Sequence, residues 1–216
     1  MLKAELKAPP DFPVGFINQP SLGGIDLCRR ARVGSKFMTH SPILASHPTI
    51  ATREDTWPDE AGCIALAERL AAAVAPGLRK GGSLVVELQG TLGAGKTTFT
   101  RHLLRALGVQ GRIKSPSYAV VEPHQVPGVA IHHFDFYRFN DPQEWEDAGF
   151  RDLFGAAGLK LVEWPDKAAG LLPCPDLRLL IEPSGETSRQ VRLQACTDVG
   201  AAALHALAEA GEAAHG

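Results

Sequence analysis

The sequence predicts an α/β fold, in which helices flank a mainly parallel sheet that ends in a late antiparallel hairpin. Short apolar runs rich in β-branched residues alternate along the chain with segments of helical periodicity, which is typical of parallel strands joined by helices. A glycine-rich segment at 90–95 lies between one such run and a helical segment. Near the C-terminus, two alternating segments flank Pro183-Ser184-Gly185, as in a hairpin.

The composition fits one globular domain with an extension. Of the 216 residues 44% are apolar, and 22 basic against 24 acidic residues give a net charge of −2. This balance lacks the basic excess of domains that bind nucleic acid unaided. The sequence contains no apolar run of about 20 residues, and the four cysteines are too scattered for a zinc site or a disulfide framework. We therefore expect a cytoplasmic protein that does not enter the membrane.

Residues 1–54 differ from the remainder of the chain. Six prolines interrupt every apolar run in this stretch, which predicts a disordered N-terminal extension. Two other interpretations remain: translation that starts at Met38, and nucleic-acid binding through Arg29, Arg30 and Arg32. The folded domain is predicted to span residues 55–216.

Capping residues and periodicity predict the elements of this domain. Thr56 is expected to cap a first helix that ends at Pro76-Gly77. Helices are also expected from Lys96 to Gly108, from Asp141-Pro142 and from Val199. Strands are expected at residues 83–88, 118–121, 129–136, 159–163, 177–181 and 190–195.

The glycine-rich segment is the strongest chemical feature of the sequence. GTLGAGKT at residues 90–97 is a full match to G-x-x-x-x-G-K-[ST], between a predicted strand and a predicted helix, as a P-loop requires. Glycines allow backbone N–H groups to surround phosphate oxygens, and the helix adds its positive dipole end. Lys96 is expected to bridge the β- and γ-phosphates, and the Thr97 hydroxyl to ligate Mg²⁺. The predicted ATP-binding residues are Gly90, Gly93, Ala94, Gly95, Lys96, Thr97 and Thr98.

Two acids at predicted strand ends complete the expected site. Glu163 follows Leu161-Val162, and Asp135 ends the run at 129–134. Both acids are expected beside the loop, because the carboxyl ends of parallel strands meet at one edge of a sheet. We predict that Glu163 coordinates the metal and that Asp135 orients water or joins the coordination, so that Lys96, Asp135 and Glu163 are the catalytic residues. Adenine is the expected base, because the guanine-specific motif N-K-x-D is absent from the sequence.

Three neighbouring features stay open at this point. His132 and His133 point to opposite faces of one strand, so at most one of them enters the site. Trp164 lies either near the nucleotide or in the core. Arg138 contacts either a phosphate, a partner carboxylate or a surface acid.

Five motifs in order resemble one family. They are GTLGAGKTT at 90–98, KSPSY at 114–118, HFDFYR at 133–138, an acidic stretch that ends in Gly149-Phe150, and LVEWP at 161–165. Together they resemble the TsaE (YjeE) family, bacterial ATPases that are required for threonylcarbamoyladenosine modification of tRNA. The resemblance extends from about residue 56 to the C-terminus and leaves the first 54 residues outside.

The resemblance implies a compact P-loop domain that hydrolyses ATP with Mg²⁺ in support of the partner proteins TsaD and TsaB. TsaD would perform the transfer to adenosine, so this chain would meet tRNA only indirectly, through the complex. An acidic surface at 141–147 would complement a basic patch on a partner, or would be an ordinary solvated helix face.

The resemblance also implies roles for individual residues. Thr97 and Glu163 would hold Mg²⁺, Asp135 would be needed for turnover, and the segment 56–60 would touch the nucleotide. A switch loop that responds to the nucleotide would consist of Ser115, Pro116, Ser117 and Tyr118. Serine stands at position 117 where the family has threonine, which keeps the hydroxyl and loses a methyl group.

Two other function classes compete with this interpretation. A small-molecule or nucleotide kinase shares the P-loop, but it usually adds a lid that carries arginines, and Arg138 and Arg151 are isolated in the sequence. A nucleotide-binding switch without hydrolysis would not need the two acids at the strand ends.

Overall fold

The computed structural model describes residues 48–116, 119–139 and 141–212. This part of the chain contains seven strands, five α-helices and one 3₁₀ turn at Pro165–Ala168. The strands are β1 (Ala51–Trp57), β2 (Ser83–Gln89), β3 (Val121–Val126), β4 (Val129–Asp135), β5 (Gly158–Glu163), β6 (Leu177–Pro183) and β7 (Arg189–Ala195). The helices are α1 (Glu60–Arg79), α2 (Lys96–Ala106), α3 (Pro142–Asp147), α4 (Phe150–Gly155) and α5 (Asp198–Glu212).

The seven strands form one mixed sheet in the order β1-β7-β6-β2-β5-β4-β3. The four neighbouring strands β6, β2, β5 and β4 are parallel, and β6 and β7 form the late antiparallel hairpin. These features confirm the predicted fold class. Two antiparallel pairings were not predicted, those of β1 with β7 and of β3 with β4.

Two separate apolar clusters cover the two faces of the sheet. On one face, α1, α2 and α5 enclose a largely aliphatic core that includes Leu66, Leu103 and Leu161. On the other face, α3, α4 and the 3₁₀ turn cover an aromatic cluster in which the Phe134 ring lies 4.8 Å from that of Phe154. The sheet is thus buried on both sides, which explains the continuous apolar runs of its parallel strands.

Helix α1 begins and ends at different residues than its sequence predicted. Its N-cap is Asp59, whose carboxylate accepts hydrogen bonds from the backbone of Ala61 and Gly62, whereas Thr56 lies in β1. The helix also continues past Pro76 to Arg79. A proline inside a helix costs about 3 kcal/mol. Burial of Leu78, which is 3% exposed in the core, offsets part of this cost.

The same helix is the one described element that is long and apolar enough to cross a membrane, with 39% of its apolar window buried inside the protein. Its apolar positions are accounted for by the core, because Leu66, Ala67 and Leu70 are fully buried against the sheet and the neighbouring helices. Core helices commonly have this length and this apolar composition.

The first strands of the domain also lie elsewhere than expected. Strand β1 starts at Ala51, four residues before the expected domain start at residue 55. Strand β3 covers Val121–Val126 instead of residues 118–121. It contains Pro123, which is tolerated because β3 is at the edge of the sheet and needs one ladder only. Most of the predicted extension, residues 1–47, lies outside the described residues.

Candidate phosphate-binding site

The glycine-rich segment forms the turn between β2 and α2, at the carboxyl edge of the parallel strands. All three of its glycines have conformations that other residues rarely adopt, with φ of 148° at Gly90, 78° at Gly93 and 116° at Gly95. A Cβ at Gly90 would also lie 2.4 Å from the Ile181 carbonyl oxygen. Gly90 is therefore required both by its φ angle and by the close approach of β6.

A side chain from β7 supports the loop from outside. Arg189 Nε donates a 2.9 Å hydrogen bond to the carbonyl oxygen of Ala94, which is itself fully buried. Below the loop, the rings of Trp57 and Phe99 stack with their centroids 5.6 Å apart. The loop is thus held by β7, while the helix that follows it packs against β1. Sequence reasoning singled out neither of these contacts.

Lys96 is the first residue of α2 and is only 4% exposed. Its ammonium group donates to the carbonyl oxygens of Gly90, at 2.7 Å, and Thr91, at 2.9 Å, and lies 3.7 Å from the centroid of the Trp164 ring. Burial lowers the pKa of Lys96, while the charges of Glu163 and other nearby carboxylates oppose this shift. The cation is thus held by loop carbonyls and an aromatic face, beside carboxylates.

Thr97, Glu163 and His133 form a chain of hydrogen bonds across α2, β5 and β4. Thr97 Oγ1 donates to one carboxylate oxygen of Glu163 at 2.7 Å, and His133 Nε2 lies 2.8 Å from the other. Glu163 is 1% exposed and His133 is fully buried. Both Glu163 oxygens are therefore engaged, and the carboxylate is fixed toward the start of α2.

Asp135 is the register partner of Glu163 in the parallel pair β4–β5. Its carboxylate accepts a 2.6 Å hydrogen bond from Ser115 Oγ and a 3.0 Å bond from the backbone N–H of Tyr137. The Tyr137 ring lies 5.1 Å from that of Trp164. Asp135 is thus in direct contact with the segment expected to act as a switch loop.

One cavity of about 310 Å³ is lined by Lys96, Thr97, Asp135 and Glu163 together. Its walls are formed by the loop, the start of α2, the segment before β3, and the ends of β4 and β5: Leu92, Gly93, Gly95, Lys96, Thr97, Thr98, Ser115, Asp135, Tyr137, Glu163 and Trp164. Such a volume suits a small ligand, and the polar groups converge from four separate segments.

The oxygen atoms in this cavity fit Mg²⁺. The metal prefers hard oxygen ligands, retains several waters and is usually bound through one or two protein oxygens together with substrate phosphates. Thr97 and Glu163 supply a hydroxyl and a carboxylate whose oxygens lie 2.7 Å apart. The described residues contain no cluster of three or more His, Cys, Asp or Glu that would hold a metal by themselves, so phosphate oxygens would have to complete the coordination.

The structure brings most of the predicted site residues together. Lys96, Thr97, Thr98, Asp135 and Glu163 share the cavity with Gly93 and Gly95, and Ser115 joins them there. Gly90 and Ala94 shape the loop behind this cavity, and Pro116 is buried next to Ser115. Ser117 and Tyr118, the remainder of the expected switch loop, lie outside the described residues.

The structure also shows where the neighbouring rings lie. Trp164 lines the cavity and packs against the aromatic cluster as well, and it is a non-glycine residue with positive φ, at 57°. Such a conformation at a site is often kept for function. His133 faces Glu163, whereas His132 lies on the opposite face near Phe134, with ring centroids 6.3 Å apart. Arg138 makes contacts of its own.

Known proteins are similar to this chain both in sequence and in fold. A TsaE protein of Haemophilus influenzae is 43% identical over 118 residues, covering 55% of this chain and 74% of the relative. A TsaE protein of Bacillus subtilis is 35% identical over 111 residues, covering 51% and 69% respectively. The crystal structure of YdiB from Bacillus subtilis superposes with a TM-score of 0.59 at 26% identity, covering 76% of this chain and 98% of YdiB.

The match extends to the family as a whole. The family model described as threonylcarbamoyl adenosine biosynthesis protein TsaE matches residues 57–191, which is more than half of the chain. The matched range contains the P-loop, both strand-end carboxylates and Arg189. On these grounds the chain belongs to the TsaE family.

Proposed function

We propose that this protein is a Mg²⁺-dependent ATPase of the cytoplasm that acts in tRNA threonylcarbamoyladenosine biosynthesis together with TsaD and TsaB. The observation that supports it best is the shared cavity, in which Lys96, Thr97, Asp135 and Glu163 converge beside the P-loop. A nucleotide-binding protein without hydrolysis would need the loop and the lysine, but not two carboxylates on neighbouring strands.

Binding of the triphosphate would use the loop and the start of α2. Backbone N–H groups between Gly90 and Thr98 would surround the phosphate oxygens, and the N-terminus of α2 would add its positive dipole end. The Lys96 ammonium would exchange its carbonyl partners for the β- and γ-phosphates. Thr97 and Glu163 would hold Mg²⁺, which supplies positive charge to the phosphate oxygens when it is bound.

Asp135 would orient the attacking water. Its carboxylate lines the cavity and is held by Ser115 and by the backbone of Tyr137, which leaves oxygen lone pairs free to accept from a water. Because Ser115 belongs to the expected switch loop, phosphate release would also change the hydrogen bond by which Asp135 holds that loop. This link would connect hydrolysis to partner binding, as in other nucleotide switches.

Release of inorganic phosphate from ATP, with and without purified TsaD–TsaB, tests the proposal. We expect hydrolysis that requires Mg²⁺ and that rises when both partners are present. Transfer of the γ-phosphate to a metabolite instead of water would favour the kinase alternative. Tight ATP binding without phosphate release under either condition would favour a nucleotide-binding switch.

The variant Asp135→Asn separates binding from turnover in the same assay. It should bind ATP as the wild type does and lose turnover, because an amide keeps the size of the carboxylate but accepts a proton poorly. Loss of ATP binding by this variant would contradict the role proposed for Asp135.

A further inference from the structure

The hydrogen-bond chain that fixes Glu163 ends at a buried nitrogen without a partner. His133 Nε2 lies 2.8 Å from the Glu163 carboxylate, and His133 is fully buried. Because an ionised carboxylate only accepts hydrogen bonds, Nε2 carries a proton. The second ring nitrogen of His133, Nδ1, is also buried, but it has no partner among the described residues. Buried polar atoms are nearly always paired with protein or with ordered water, so this nitrogen requires an explanation.

A second unpartnered nitrogen belongs to His124 on the neighbouring strand β3. Its Nε2 atom is buried, although the residue as a whole is half-buried. The register of the antiparallel pair β3–β4 places His124 opposite Ile131, two residues before His133. His124 and His133 are therefore diagonal neighbours on the face of the aliphatic core, to which Ile131 belongs. Such neighbours are about 7–8 Å apart, a separation that aromatic side chains can span.

The electrostatics of His124 indicate the same proximity. Burial lowers the pKa of His124, the nearby His133 lowers it further, and Glu122 opposes the shift. The His124 imidazole is therefore neutral at pH 7 and carries a single ring proton. Depending on which nitrogen holds this proton, the buried Nε2 atom either donates a hydrogen bond or accepts one.

Most other unpartnered polar atoms of the described residues lie away from this pair. Arg53 and Trp57 belong to β1, which is at the opposite edge of the sheet from β3. His132 is on the same strand as His133 but points to the opposite face, toward the aromatic cluster. The nitrogens of His124 and His133 are thus the two that share one face of neighbouring strands.

One buried water would satisfy both imidazoles. A water bridges polar groups that are too far apart for a direct bond, and a buried water makes about three hydrogen bonds. A third group is available on α2, because Thr100 is fully buried and its hydroxyl has no partner. Thr100 lies one turn after Thr97, whose hydroxyl bonds the same Glu163 carboxylate as His133 does.

We propose that a buried water joins His124 Nε2 to His133 Nδ1, and that His124 thereby positions His133 against Glu163. The water would hold the His133 ring in the orientation in which its Nε2 proton faces the carboxylate. Groups behind a metal ligand tune its affinity in this way. The water link follows from the unpartnered atoms alone, whereas an effect on Mg²⁺ rests on the proposed function.

The water link is tested on the nucleotide-free, full-length protein. In a high-resolution crystal structure of the wild type, we expect an ordered water within hydrogen-bond distance of both nitrogens. In ¹⁵N NMR spectra of the histidine rings, His133 Nδ1 should have the shift of a hydrogen-bonded nitrogen, and His124→Leu should move it to that of a free one. His124→Gln should keep the wild-type shift, because its amide lies near the position of Nε2 and can bind the same water.

The effect on the metal is measured as the Mg²⁺ concentration needed for tight binding of a fluorescent ATP analogue. We expect His124→Leu to raise it by about 2- to 10-fold, the worth of one hydrogen bond. His124→Gln should stay close to the wild type. The matched control is Gln125→Leu, an exposed position on the same strand whose side chain points to the other face.

Three results would overturn the proposal. They are a crystal structure without a water between the two nitrogens, a His133 Nδ1 shift that His124→Leu leaves unchanged, and a change in Mg²⁺ requirement of equal size in Gln125→Leu. Wild-type protein that binds no nucleotide in the presence of Mg²⁺ would instead overturn the proposed function. The crystal structure and the NMR spectra would still decide the water link in that case, since neither requires ATP.

Discussion

Two buried lysines lie at opposite edges of the same sheet, and their surroundings differ. Lys96 lies at the carboxyl edge and Lys160 toward the amino edge, where Ser83 begins β2. Both are almost inaccessible, at 4% and 0% exposure, and burial lowers the pKa of both. By burial and pKa alone, both would be candidates for a functional site.

The partners of the two ammonium groups separate a site from a structural element. Lys160 donates to Ser83 Oγ at 3.0 Å and to the backbone carbonyls of Ala156 and Gly158, which are fixed parts of the fold. Lys96 also donates to carbonyls, but it lines a cavity together with Glu163 and other carboxylates. A buried cation can serve chemistry where it borders a cavity. Lys160 is also influenced by a carboxylate, that of Asp176, but its hydrogen bonds join β5 to β2 and to the end of α4.

The strongest test of this comparison removes each cation in turn. Lys96→Ala is expected to lower kcat for ATP hydrolysis by about 100-fold or more, as loss of a group that stabilises transition-state charge does. Lys160→Met should leave kcat unchanged, since Lys160 is far from the cavity. Phosphate release measured on both variants under saturating ATP checks this. Equal losses in the two variants would mean that the comparison is wrong.

The second test concerns the carboxylates that distinguish the Lys96 edge. Asp135→Asn is expected to lower kcat by about 10²-fold or more while the Kd for ATP stays unchanged, because general-base or water-orienting groups contribute in this range. Asp166→Asn is the matched control, as Asp166 influences Lys96 electrostatically yet is exposed and does not line the cavity. A larger loss in the control would place the second acid of the site at Asp166.

His133 offers a finer test, since it contacts Glu163, the proposed metal ligand. A group that orients a metal ligand typically changes metal affinity by about 10–100-fold. We expect His133→Asn to raise by that factor the Mg²⁺ concentration needed for tight nucleotide binding, measured by titration with a fluorescent ATP analogue.

The matched control for this variant is His132→Asn, on the same strand but on the opposite face of the sheet. It should leave the Mg²⁺ requirement unchanged. A shift of equal size in both variants would mean that strand β4, and not the contact with Glu163, is responsible.

The parts of the site that lie in one continuous segment were predictable from the sequence. The P-loop joins a strand to a helix within a few residues, so its geometry follows from local sequence. Asp135 and Glu163 were also predictable, because parallel strands end at one edge. Arg189 was not, since its contact with Ala94 depends on the position of β7 across the sheet. For the histidines, the sequence predicted only that at most one of His132 and His133 enters the site. The register of β4 with β5 was needed to show that His133 is the one that contacts Glu163.

Strand β1 was missed for a different reason. Its inward positions include Arg53 and Asp55, so the alternation of apolar and polar residues that usually predicts a strand is hidden. Asp55 is compatible with an inward position because Arg69 of α1 pairs with it at 2.8 Å. Pairing of this kind depends on tertiary contacts. Because β1 was not recognised as a strand, the hydroxyl of Thr56 was expected to cap helix α1. The residue that caps it is Asp59, three residues later.

The smallest predicted effect is the dependence of stability on pH that Lys160 produces. Burial lowers the pKa of its ammonium below the ordinary value of 10.5. Between the lowered pKa and 10.5, the unfolded chain binds the proton and the folded chain does not, so raising the pH favours the folded state. The wild type should therefore gain stability relative to Lys160→Met as the pH rises toward 10.5. The gain is about 1.4 kcal/mol for each unit by which the pKa is lowered.

Urea unfolding of both proteins between pH 8 and about 10.5 measures this gain, and the difference between them cancels the titration of the other groups. Lys80→Met is the matched control, because it removes an exposed lysine instead of a buried one. If the difference for Lys160→Met does not change with pH, Lys160 keeps an ordinary pKa despite its burial. The hydroxyl and carbonyls around it would then solvate the ammonium as well as water does. The pKa shifts of Lys96 and Lys160 would in that case differ more than their similar burial indicates.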